Sequence, residues 1–248
     1  VYIRFFVLTS VLFALNSYMA QFQFNYNDSI SVIKLGNTLK FPWAGGINYA
    51  QFSELDYDYD GDMDLILLDR SNDQIRVFEH RIQGAAHSYQ FNPYGDALFP
   101  SDVRYRMFLS DYNLDGKNDL FTYGIGGVKV YRNAGNSGVG LQWVLEKNLL
   151  YSDYNGMFMG LYVSSADIPA IVDVDGDSDL DVLTFSIAGD HLEYHKNMSK
   201  ELYGHCDSLV FVLKNKCWGG FREEVTSNAI TLFDAGSLCT TGNVPNPQ

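Results

Sequence analysis

Basic residues are scarce in this chain: 17 Lys and Arg stand against 30 Asp and Glu, a net charge of −13. A nucleic-acid partner is read through a basic face, and this composition argues against one. Cysteine is scarce too, with only Cys206, Cys217 and Cys239, all near the C-terminus. They form no Cys/His zinc pattern; a secreted chain would pair two of them, and spacing alone leaves the pairing open. After residue 20 no apolar run is long enough to cross a membrane. A Gly-x-Ser-x-Gly elbow, a phosphate loop and an HExxH helix are all missing, so nothing points to an enzyme.

Aromatics make up 15% of the chain and glycine contributes 22 residues, a mixture suited to short strands and tight turns. Arg4, the apolar run Phe5 to Leu15 and the small-residue stretch Ser17 to Ala20 read as a signal peptide over residues 1–20, with Gln21 as the mature N-terminus. Val1 at the start and Tyr18 near the cleavage site are irregular for such a signal.

The acids are clustered. Three segments align without gaps, with starts 55 and 62 residues apart. In the first, Asp56, Asp58, Asp60, Asp62 and Asp64 alternate around Gly61. In the second, Asp111, Asn113, Asp115, Lys117 and Asp119 alternate around Gly116. In the third, Asp173, Asp175, Asp177, Asp179 and Asp181 alternate, with Ser178 where the others have glycine. Together the loops hold 13 of the 30 acids, which a merely solvated acidic surface would not require. Each loop is followed by an apolar run, a polar or Gly-rich turn and an alternating segment: Ile75 to Phe78, Val128 to Tyr131, Leu192 to His195. That alternation is the signature of a half-buried strand. A short segment before each loop, Tyr49 to Leu55 or Arg104 to Leu109, reads as a further strand.

Oxygens at alternate positions can curl around one hard cation, and calcium takes six to eight of them. The first, third and fifth positions offer side-chain oxygens, the seventh a backbone carbonyl and the ninth a closing carboxylate. Glycine at the sixth permits a positive φ; Ser178 there implies strain. Magnesium, which prefers a rigid octahedron and keeps its waters, fits less well. An EF-hand is excluded, because its twelfth position needs an acid and here holds Leu67, Thr122 and Thr184, without helical flanks.

These loops and their flanks resemble the FG-GAP/VCBS repeat family of integrin-alpha-type β-propellers. The likeness is carried by Asp56 to Leu65 with Ile75 to Phe78, Asp111 to Leu120 with Val128 to Asn133, and Ile168 to Val182 with Leu192 to Asn197. It extends to secreted bacterial proteins built from such repeats. The resemblance implies an all-β fold of propeller blades over residues 21–200. It also implies calcium (Ca²⁺) bound by the fifteen loop residues named above, through the carbonyls of Asp62, Lys117 and Asp179. The implied role is non-enzymatic: cell adhesion, or binding of a protein or glycan, at the cell surface or in secreted form. The alternative is the non-catalytic propeller region of a larger secreted carbohydrate-active enzyme. Three loops are fewer than the four blades of the smallest closed propeller, so the expectation is an incomplete propeller from a longer protein. Residues 201–248 read as a partial blade or linker, with Leu209 to Leu213 able to start a strand. His191, Glu193 and His195 alternate on one strand but read as an exposed face, and Trp43, Trp143 and Trp218 read as core.

Overall fold

A computed structural model describes residues 25–224, 226, 227, 229–234 and 239. The signal reading for 1–20 lies outside the described residues. The fold is all-β, built mainly from antiparallel sheets, and among the described residues no sheet closes on itself.

A short hairpin, β1 (Ile33–Lys34) and β2 (Asn37–Thr38), comes first. The first large sheet is a four-stranded antiparallel meander of β3 (Ala50–Leu55), β4 (Asp64–Asp69), β5 (Gln74–Gln83) and β6 (Ala86–Asn92). The second repeats that plan with β7 (Met107–Ser110), β8 (Asp119–Gly124), β9 (Gly127–Asn133) and β10 (Trp143–Lys147). A hairpin follows, β11 (Tyr151–Asp153) and β12 (Phe158–Gly160). The third meander is β13 (Ala170–Val172), β14 (Asp181–Phe185), β15 (Leu192–Asn197) and β16 (Phe211–Trp218). The strand foreseen near Leu209 to Leu213 is therefore β16, the fourth strand of this sheet, and a boundary at residue 200 falls between two paired strands. The sheet is extended by a parallel pairing of β11 with β16. The short helix α1 (Ser199–Tyr203) joins β15 to β16, and a final hairpin, β17 (Phe221–Glu223) and β18 (Ile230–Leu232), follows.

The sheets stack in chain order, and the period-2 side-chain pattern shows how. Along β8, Leu120 enters the core shared with the first sheet, beside Ile66, Leu68 and Val77. Its neighbour Phe121 faces the other way, into the core shared with the third sheet, beside Val182 and Phe211. A strand buried on both faces must be apolar at consecutive positions, which explains the unbroken run Leu65 to Leu68 in β4, where Leu67 is also buried. Truncating one such side chain to alanine costs roughly 2–5 kcal/mol.

Two arginines staple the units together. Arg106 is completely buried and donates to the carbonyls of Gly127, Val163, Ser164 and Asp167. Arg70, after β4, donates to the carbonyls of Tyr105 and Ala166. Burial lowers the Arg106 pKa to about 10, with the nearby Arg70 charge acting in the same direction and Asp167 opposing it. Cys217 and Cys239 form a disulfide that ties the end of β16 to the C-terminal segment, while the buried Cys206 thiol donates to the Ser178 carbonyl.

Candidate metal centre

Each acidic loop joins the first and second strands of its sheet in the same register. Leu55 pairs with Asp64, Ser110 with Asp119 and Val172 with Asp181, so the ninth loop residue always opens the second strand.

The loops fold around the same hydrogen bonds. The first-position carboxylate accepts the amides of the fifth and sixth residues. Asp56 takes Asp60 and Gly61 at 3.1 Å each, Asp111 takes Asp115 at 3.1 Å and Gly116 at 2.8 Å, and Asp173 takes Asp177 at 3.2 Å and Ser178 at 2.9 Å. The fifth-position carboxylate accepts the seventh amide, at 3.0–3.1 Å in all three loops. Asp58 and Asn113, at the third position, accept the fifth amide. These short-range bonds turn the backbone and hold the acids in place before any ion arrives.

The sixth residue has positive φ throughout: Gly61 at 96°, Gly116 at 86° and Ser178 at 79°. The strain expected at Ser178 is therefore present. The fourth residue is left-handed as well, Tyr59 at 62°, Leu114 at 58° and Gly176 at 84°, which the sequence reading missed. Gly176 in the third copy was the available signal. The Tyr59 hydroxyl donates to Asn133 Oδ1 at 2.7 Å, linking the first loop to the second sheet.

The ninth-position acids do more than close a cage. Asp64, Asp119 and Asp181 are buried, and each clamps the loop's second amide to an amide of the third strand. The partners are Tyr57 and His80, Tyr112 and Asn133, Val174 and Asn197. Burial raises the Asp64 and Asp119 carboxyls to about 6, against the lowering effect of those amides, and raises Asp181 for the same reason. The seventh-position side chains are engaged elsewhere. Asp62 lies 3.1 Å from His80 Nδ1, Lys117 lies 3.3 Å from Asp115, and Asp179 accepts the Lys200 amide at 3.0 Å while its other oxygen is buried without a hydrogen-bond partner among the described residues.

The donor sets suit a hard cation. Asp56, Asp58 and Asp64 bring one oxygen each to within 4.8 Å of one another, as do Asp173, Asp175 and Asp181. Oxygens around one ion with bonds of about 2.3–2.6 Å lie up to about 5 Å apart, so both sets can hold one. Asp175, Asp177 and Glu201 form a third such group, and Glu201, on α1, was not foreseen from sequence. The second loop gathers no three acids at that spacing among the described residues, because Asn113 supplies an amide oxygen in place of a carboxylate.

Other candidates do not assemble. His191 turns to Asp190 at 2.7 Å, whereas His195 is buried with Nδ1 2.8 Å from Ser152 Oγ. A register shift at Tyr194 separates the two histidines. Ser152, His195 and Glu193 are aligned like a nucleophile and its base, but Ser152 and His195 are fully buried, and a nucleophile must reach its substrate. Trp143 packs against the first core, as expected, with its indole donating to the Leu98 carbonyl at 3.0 Å, while Trp43 is 44% exposed.

No family model, no curated protein and no solved structure matches the chain. Among the described residues no helix is long and apolar enough to cross a membrane.

Proposed function

We propose that the chain is a calcium-binding module whose three meanders are FG-GAP/VCBS-type propeller blades, acting outside the cell to bind a protein or glycan rather than to catalyse a reaction. The observation that carries this reading is the threefold loop. The first- and fifth-position acids of all three loops accept the same backbone amides, and the first and third loops each bring three carboxylates together. Face-to-face stacking of consecutive meanders supports the blade reading. The Cys217–Cys239 disulfide supports an oxidising compartment.

Calcium neutralises the repulsion among crowded carboxylates and thereby stabilises the folded chain. A cation that binds only the folded form raises the melting point with concentration. Thermal melting in Ca²⁺, Mg²⁺ and EGTA tests this. A clear rise with Ca²⁺ and little with Mg²⁺ is expected, and Asp60→Ala and Asp115→Ala each remove part of the rise. Identical melting in Ca²⁺ and EGTA would sink the proposal.

A further inference from the structure

The three loops share a fold but not their neutralisation. In the third, the Lys196 ammonium contacts the carboxylates of Asp175, Asp177 and Glu201, with Asp177 Oδ2 at 3.1 Å. Those same three acids form one of the groups spaced to share a cation. An ammonium has three N–H donors, one for each carboxylate. Lys196 is held in place, its side chain only 14% exposed.

The other loops lack this device. Lys196 immediately precedes Asn197, whose amide clamps Asp181; the corresponding residues are Glu79 before His80 and Arg132 before Asn133. Glu79 is an acid, and Arg132 pairs with Glu146 at 3.8 Å rather than with a loop residue. Among the described residues Lys117 in the second loop pairs only with Asp115, its neighbour two residues away, and both side chains are about a third exposed. A second observation marks the third site. Asp179 is fully buried beside Asp177, with one oxygen that has no hydrogen-bond partner among the described residues, so the site holds more negative character than its amides satisfy.

We infer that Lys196 is a built-in cation that occupies the third loop in place of a divalent ion, so that this loop folds without metal and Ca²⁺ must displace the lysine to enter. The inference rests on the calcium reading of the other loops. The ammonium and the ion compete for Asp175 and Asp177, and tethering gives the lysine a high local concentration. The chain therefore takes up Ca²⁺ at the first and second loops ahead of the third.

The test compares the intact chain with Lys196→Met and Lys196→Arg by Ca²⁺ calorimetry and by melting in EGTA. The unsubstituted protein should bind two ions, with a third only at tenfold or greater higher concentration. Lys196→Met should bind the third ion at least tenfold more tightly, melt below the unsubstituted protein in EGTA and recover when Ca²⁺ is added. Lys196→Arg should keep the unsubstituted behaviour. If Lys196→Met fails to fold without metal, Lys196→Gln folded in Ca²⁺ and then stripped provides the same comparison. Equal melting of the unsubstituted and Met proteins in EGTA overturns the inference, as does unchanged affinity for the third ion. If no variant binds Ca²⁺, the calcium reading fails, and the melting difference in EGTA still decides the role of the lysine.

Discussion

Gly116 has φ of 86°, and a β-carbon added there meets nothing within 4 Å. Substitution by alanine thus introduces backbone strain without a clash, a clean measure of what the sixth loop position requires. A left-handed L-residue costs about 1–2 kcal/mol, so Gly116→Ala should lower stability by that amount in urea or thermal unfolding. Ser178 already bears such a cost in the third loop, and Ser178→Gly should return part of it. The sixth-position requirement could be read from Gly61 and Gly116. The left-handed fourth position could not, because Tyr59 and Leu114 occupy it in two of the three loops. Tyr59 is held there by its hydrogen bond to Asn133, a residue 74 positions away that no local pattern reveals.

At the scale of the element, the apolar runs in the sequence located the second strand of each meander and alternation located the third, and of the second strands β8 lies between two cores. The fourth strands carry weaker signals. β6 (AHSYQFN) is largely exposed and β10 has a bulge between Leu145 and Lys147, so neither shows a clean buried face. The arginine staples were equally hidden, since an arginine beside the end of a strand, as Arg70 and Arg106 are, looks like a solvent residue until its carbonyl partners are known. Arg106 satisfies four carbonyls from two chain segments, Gly127 and the stretch Val163 to Asp167. Arg106→Leu strands them in the core and should cost ~3 kcal/mol or more in equilibrium unfolding. Arg106→Lys should recover only part, because an ammonium cannot reproduce the guanidinium fork.

For the whole molecule, the buried ninth-position acids set the response to pH. Asp64 and Asp119 titrate near 6 in the folded, metal-free chain against an ordinary 3.8. Between those values the folded state binds more protons than the unfolded state, so stability rises as pH falls through about 6 and the gain is complete below about 4. In the proposed calcium-bound form the slope is expected to reverse, because protons then compete with the ion for its ligands. Melting points at about pH 5 and about pH 7 should therefore change in opposite directions in EGTA and in Ca²⁺. The same direction in both buffers would show that these acids are not ligands.

Amino-acid order alone determined the acidic loops, their common register and the all-β class, because loop chemistry and strand alternation are local properties with a fixed period. Only the tertiary structure decided which sheets stack, that the ninth acids are buried clamps, that Cys217 pairs with Cys239 and that Lys196 enters the third loop. Each of these depends on contacts between residues far apart in the chain, and desolvation and ion pairing are set by what surrounds a group in space.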